Sequence, residues 1–249
     1  MKILHLSDLH LEFGNMDLPS TEGVDVVVLS GDIHIGSRGI DFAAQFDVPV
    51  VITLGNHEGY CLEDLDSIIE ECRTKASQLD NVFFLENDCV VINSVRFHGC
   101  LFWTDFDLYS TPDLSMNYAH KMMNDFRKIS YYGQHFTPSM AAEIHKRSRK
   151  WLFDSISQSP EERNVIVTHH LPTPTAIADQ YKGSELSPAF ASDCSEFTKL
   201  ADKVALWLYG HNHECRTFTE NGIMFSTNQR GYAGIDPVPG FDPQKVIKI

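Results

Sequence analysis

Five short blocks along the chain carry side chains able to hold a cation or move a proton: Asp8-Leu9-His10, Gly31-Asp32, Gly55-Asn56-His57-Glu58, Thr168-His169-His170 and Gly210-His211-Asn212-His213. Asp8 and His10 are one residue apart, so at an extended strand end both side chains point the same way and can grip one ion. His211 and His213 repeat that spacing. Asp32 follows a glycine that lets the chain turn, and a carboxylate has two oxygens with which to bridge a pair of cations. The Asn56 amide offers an oxygen ligand, and His57 beside it is suited to moving protons. Adjacent imidazoles do not easily face one ion, so one of His169 and His170 belongs to the surroundings or to the substrate. Each block alone reads as a turn or a cap. Together, in this order, they supply seven candidate ligands and a spare histidine, the set that two-metal attack on a phosphate ester requires.

The elements that must position these groups are legible as well. Each block ends an apolar run, at 2–6, 24–29, 50–54, 165–167 and 206–209. Continuous β-branched runs bounded by Gly and Asp predict strands buried on both faces, which places the chemistry at strand C-terminal ends, as in open α/β sheets. Further strands are expected over 82–85, 89–92, 95–101, 215–218, 223–226 and 246–249, several joined as hairpins. Apolar spacing predicts helices over 40–46, 62–79 and 116–129. Thr137-Pro138 marks the start of another, running to Ile156, with threonine as cap and proline in the first turn. The stretches 103–115 and 171–189, rich in Pro, Ser, Thr and Asp, are expected as loops bordering the site.

With 249 residues, no internal repeat and no linker-like stretch, the chain is expected to form one domain over 1–249. Its 34 acidic against 20 basic residues give a net charge of −14, which argues against binding nucleic-acid polymers, although bound cations would reverse the sign locally. The six cysteines show no C-x-x-C pair and are expected to be reduced core residues. An N-terminal apolar run broken at Asp8 is no secretory segment, and no stretch suits a membrane span, so a cytoplasmic protein that does not bind membranes is expected. The basic run His145 to Lys150 reads as a solvated helix face.

In its five blocks the chain resembles the calcineurin-like metallophosphoesterase superfamily, whose signature is Asp-x-His, Gly-Asp, Gly-Asn-His-Asp/Glu, a His block and Gly-His-x-His. The match runs from Asp8 to His213. The resemblance implies an α/β (α+β) fold of two mixed β-sheets packed as a sandwich with helices outside. It implies that Asp8, His10 and His213 hold one metal, that Asn56, His169 and His211 hold the other, and that Asp32 bridges them. His57 would contact the substrate phosphate or protonate the leaving oxygen. Mixed Asp, Asn and His ligation suits Mn, Fe, Zn, Co or Ni. The implied activity is hydrolysis of a small-molecule or nucleotide phosphodiester or monoester.

Two alternatives are disfavoured by particular residues. The branch acting on phosphoprotein carries Gly-Asp-x-Val-Asp-Arg-Gly where this chain has Gly31-Asp32-Ile33-His34-Ile35-Gly36-Ser37, which counts against a protein phosphatase. Retention of His57 and every ligand counts against a non-catalytic metal-binding scaffold. Substrate contacts are expected from His34, His170, Arg127 and Arg230, with Trp103, Asp105, Asn124 and Tyr232 as further candidates. Glu58 is expected either to orient a neighbouring group or to satisfy a helix N-terminus.

Overall fold

The structure is a computed structural model describing residues 1–160 and 163–249. It opens with β1 (Lys2–Leu6), β2 (Val26–Ser30), helix α1 (Arg38–Ala43), β3 (Val50–Thr53), α2 (Leu65–Ala76) and β4 (Val82–Phe84). There follow β5 (Asp88–Ile92), β6 (Val95–Cys100), α3 (Pro112–Met122), α4 (Asp125–Lys128), β7 (Ser130–Tyr131), β8 (Gln134–His135) and α5 (Pro138–Ser157). The chain closes with β9 (Asn164–Thr168), β10 (Val204–Leu208), β11 (Cys215–Glu220), β12 (Ile223–Asn228), β13 (Gly231–Tyr232), β14 (Asp236–Pro237) and β15 (Val246–Lys248).

Two mixed sheets result. One has the order β15-β1-β2-β3-β4, parallel except for β15, and the other β11-β12-β10-β9-β6-β5, parallel at its centre with β11 and β5 antiparallel at the edges. Side-chain alternation sorts each strand between two apolar layers. Ile3, Val26, Val28 and Val51 join Phe97, Val165, Val167, Leu206 and Leu208 in the layer between the sheets. Their neighbours Leu4, Leu6, Val27, Leu29, Val50 and Ile52 pack outward with Ile40 of α1 and Leu65, Ile68 and Cys72 of α2. On the far side Ile166, Trp207 and Phe225 pack with Leu152 and Ile156 of α5. Strands buried on both faces explain the uninterrupted apolar runs, and each such side chain contributes about 1.5–3 kcal/mol by leaving water.

The start of α5 is as expected: Thr137 accepts a hydrogen bond from the Met140 amide, with Pro138 in the first turn. The helix expected over 116–129 is instead two. It begins earlier, with Pro112 in the first turn, and breaks where Met123 turns extended (φ −91°, ψ 142°) before α4 starts. Helix α2 starts at Leu65 rather than 62, because Asp64 is extended and Leu62 is fully solvent-exposed. The basic run lies on α5, where His145 is buried and Arg149 is held by Glu196 and Asp105. Among the described residues no helix is long and apolar enough to cross a membrane.

One buried carboxylate makes the fold sensitive to pH. Glu86, just after β4, accepts hydrogen bonds from the Leu101 amide (2.8 Å) and the Asn87 side chain (3.1 Å). Burial pushes its carboxyl up from 4.5 to about 7, against the Leu101 amide, which favours the charged form. The folded chain therefore keeps a proton that the unfolded chain gives up at lower pH. The associated stability is complete below about 4.5 and is lost as pH rises through about 7. Glu86→Gln is expected to flatten this part of the stability profile and to leave the variant more stable than the parent above pH 7, as urea denaturation across pH would measure.

Candidate metal centre

Strand ends from both sheets meet at one point. Asp8 and His10 follow β1, Asp32 follows β2, and Asn56 and His57 follow β3, while His169 follows β9 and His211 and His213 follow β10. The backbone bends sharply to aim them. Asp8 (φ 50°), His10 (43°), Asp32 (54°), His211 (78°) and His213 (50°) all lie in the left-handed region, which costs a non-glycine residue roughly 1–3 kcal/mol.

The side chains form three groups, one of them joining His10 to Glu12 and His57 at the rim. Ligand atoms of Asp8, His10 and His213 all lie within 4.8 Å of one another, as do those of Asp32, His169 and His211. Asp32 Oδ2 stands between them, 3.7 Å from His10 Nε2 and 3.5 Å from His169 Nε2. Asn56 Oδ1 joins the second cluster at 3.1 Å from His169 Nε2. In the first, His10 Nε2 and His213 Nε2 are 3.1 Å apart.

Hydrogen bonds from behind fix which atoms face inward. His169 Nδ1 donates to the Ser30 carbonyl (2.9 Å) and His10 Nδ1 to Glu12 Oε1 (3.3 Å), which turns both Nε2 atoms into the clusters. Asp8 accepts from Ser7 Oγ (2.5 Å) and from the His211 amide (3.0 and 3.1 Å), and Asp32 Oδ1 accepts from the His57 amide (2.8 Å). Glu58 accepts from the amides of Asp32, Ile33 and Gly55 at 3.1, 2.9 and 2.7 Å, so it orients the loops after β2 and β3 rather than merely satisfying a helix end.

Such a gathering of lone pairs needs positive charge. Against the cost of burial, His169, His57 and His10 hold the Asp32 carboxyl well below the usual range, and Asp32 in turn raises His169 to about 10. A cation can take the place of that proton. His211 Nε2 is buried and has no hydrogen-bond partner among the described residues. With Asp32 and His169 on the same side, that nitrogen suits a metal ion, and the donor set fits one.

His57 stands at the edge of this arrangement. Its Nδ1 faces Glu12 Oε1 at 3.2 Å, its Nε2 lies 3.2 Å from the Tyr232 hydroxyl, and Tyr60 stacks on its ring at 4.3 Å. Against burial, Asp32 and Glu12 raise its pKa. Against burial too, hydrogen bonds from His10 and His57 hold the Glu12 carboxyl at about 2.

The four side chains expected to contact substrate are placed differently. His170 packs between Trp103 and His211 and is fully buried, with neither ring nitrogen hydrogen-bonded among the described residues. His34 turns its Nδ1 back to accept from the Ile35 amide. Arg127 is exposed and donates to the Lys121 carbonyl. Arg230 donates to the carbonyls of Leu9, Gly14 and Asn15, which makes it a clamp on the loop after β1. Of the further candidates, Asp105 pairs with Arg149, Asn124 precedes α4, and Tyr232 alone reaches His57. Glu12, Tyr60 and Asp125 are the residues the sequence reading missed. Glu12 had a signal, since it extends the alternate spacing Asp8, His10, Glu12. Asp125 and Tyr60 had none.

Residues 1–215 match the sequence profile of a family described as calcineurin-like phosphoesterase. A protein of Acanthamoeba polyphaga mimivirus, described as uncharacterized, is 26% identical over 94% of this chain and 92% of its own length. The fold is similar to that of a phosphopantetheinyl hydrolase from Mycobacterium tuberculosis, with TM-score 0.70 and 17% identity, covering 93% of this chain and 89% of that one. It is also similar to a dimetal phosphatase from Danio rerio, with TM-score 0.52 and 17% identity over 93% and 88%. At these identities the structural likeness speaks for the fold.

The loops are packed too closely at the centre to admit a methyl group. A Cβ on Gly55 would overlap Asp32 Oδ1 and lie 2.6 Å from the Asp32 nitrogen and 2.7 Å from His169 Cε1. Gly55→Ala is therefore expected to destabilise the fold by about 1–3 kcal/mol, read by urea denaturation as a lower midpoint at unchanged slope.

Proposed function

The chain belongs to the calcineurin-like phosphoesterase family, and on that premise we propose that it is a two-metal hydrolase of small-molecule or nucleotide phosphoesters. The observation that carries this reading is Asp32 Oδ2 lying between two histidine clusters, with His57 beside them but turned to Glu12. In it, Asp8, His10 and His213 would hold one metal and Asn56, His169 and His211 the other, with Asp32 placed to serve both. The donor set of Asp, Asn and His suits Mn, Fe, Zn, Co or Ni. Bound metals supply an acidified water and offset the charge that develops on the phosphate.

The chain's own groups do the rest. Glu12 keeps the proton of His57 on Nδ1 in the neutral ring, and when the ring is doubly protonated Nε2 can give a proton to the leaving oxygen. The Tyr232 hydroxyl, 3.2 Å from that nitrogen, marks where such an oxygen would lie. Beside it Phe13, 46% exposed and 5.1 Å from the Tyr232 ring, gives the leaving group an apolar wall. A small ester is favoured over a polyanion by the net charge of −14 and over a phosphoprotein by the absence of the arginine block after Asp32.

The test is a chain loaded with Mn²⁺, its metal content measured, and its turnover followed on p-nitrophenyl phosphate, bis-p-nitrophenyl phosphate and cyclic and linear nucleotides. Two equivalents of metal and hydrolysis of at least one class are expected. A chain that binds both equivalents and hydrolyses none is instead a metal-binding scaffold. His57→Ala is expected to keep both metals and lose about 10²–10⁴-fold in kcat. Asp32→Ala is expected to lose metal together with activity, by atomic absorption and by rate.

A further inference from the structure

The carboxylate of Asp125 is nearly inaccessible, at 1% exposure, and lies 69 residues along the chain from the residue it holds. Its Oδ1 accepts from Asn56 Nδ2 at 2.8 Å and from the Tyr60 hydroxyl at 3.1 Å. Tyr60 in turn stacks on His57, with Lys128 Nζ 4.8 Å from the centre of the tyrosine ring. Asp125 and Lys128 are the two ends of α4, the short helix that exists because the chain breaks at Met123.

An asparagine side chain has two ends of nearly equal shape and opposite chemistry. Only the oxygen is a metal ligand, and rotation about χ2 exchanges it with an amide nitrogen that repels a cation. Asp125 Oδ1 takes two donors at once, so it acts as an acceptor whether the carboxyl is charged or neutral. It is the nearer of two acceptors for Nδ2, at 2.8 Å against 3.3 Å for the Tyr60 hydroxyl that it also holds, and so leaves Oδ1 facing His169 at 3.1 Å. Glu58 plays no part in this, since its oxygens are taken by backbone amides.

We propose that Asp125 is a positioning residue that fixes the Asn56 amide with its oxygen toward the second metal, and so sets the affinity of that metal selectively. The proposal rests on the two-metal reading above. Residues that orient metal ligands from behind typically change affinity by about 10–100-fold when lost. Asp125 makes no contact with the Asp8, His10 and His213 cluster in the hydrogen bonds or ion pairs among the described residues, so the first metal is expected to be indifferent to it.

The experiment is calorimetric titration of the metal-free chain with Mn²⁺, with thermal melting recorded alongside. The parent chain is expected to bind two equivalents. Asp125→Ala is expected to bind one with parental affinity and the second about 10–100-fold more weakly. Asp125→Asn, which can still present an oxygen to both donors, is expected to stay within about threefold of the parent, a shift of about 0.65 kcal/mol at most. Tyr60→Phe is expected to keep both equivalents, because Asn56 stays pinned. If the alanine chain does not fold, Asp125→Leu fills the volume and carries the same expectation. Parental affinity for both equivalents in the alanine or leucine chain, or loss of both in parallel, overturns the role assigned to Asp125. A parent chain that binds fewer than two equivalents overturns instead the two-metal reading.

Discussion

Asp32 is 2% exposed and carries its charge within a sandwich whose strands are otherwise apolar on both faces. Withdrawing a carboxylate from water costs several kcal/mol unless opposite charge and hydrogen bonds replace what the solvent gave. Much of the site follows from that demand. The His57 amide takes one oxygen of Asp32, and the imidazoles of His10 and His169 approach the other. His10 comes from the end of β1, the neighbour of β2 in its own sheet, and His169 from the end of β9 in the other sheet. A second buried carboxylate, Glu58, 26 residues further along the chain, is tolerated because three backbone amides point at it. Burial and the Asp32 charge nonetheless push its pKa up to about 8.

How much of this the sequence disclosed depended on whether the signal was local. The ligand blocks stood out because a donor at the end of a buried strand has no packing role, and because Gly31, Gly55 and Gly210 sit beside them where a side chain would strike Asp32, His169 or Ser7. The strands were legible for the same reason, since a doubly buried run has little choice of residue. Glu12 lay in the open as the third step of an alternating pattern. Asp125 was hidden by distance, and also by an apolar spacing that runs on past Met123 where the backbone does not. No pattern of residue types shows that Asn56 and Tyr60 will need an acceptor from elsewhere.

The cationic candidates are held by partners of their own, for a different physical reason. An arginine near a loop can serve a phosphate or the loop itself, and residue type does not distinguish them. Arg230 is drawn to the carbonyls of Leu9, Gly14 and Asn15, which no strand neighbour satisfies, and a loop with that many unpaired acceptors competes well for a guanidinium. His34 is likewise captured by the next amide along. His170 follows His169 past the end of β9, where the backbone bends, and the two rings part in direction. His169 faces Asp32, while His170 packs between Trp103 and His211.

These constraints divide the labour between the centre and its rim. Left-handed backbone at Asp8, His10, Asp32, His211 and His213 stores strain that only a rigid surrounding can sustain, and the apolar layers on both sides of each sheet provide it. With Gly31, Gly55 and Gly210 set where no side chain fits, the donor groups have almost no freedom to move. The rim is less constrained. Phe13 lies on the loop that Arg230 clamps, and Tyr232 on the β13–β14 ribbon, and both flank His57 without being part of the Asp8 or the Asp32 cluster. Clamping the first loop by its backbone leaves the Phe13 side chain free to differ while its position stays fixed. The surroundings of His57 can therefore vary through side chains whose replacement does not disturb Asp32.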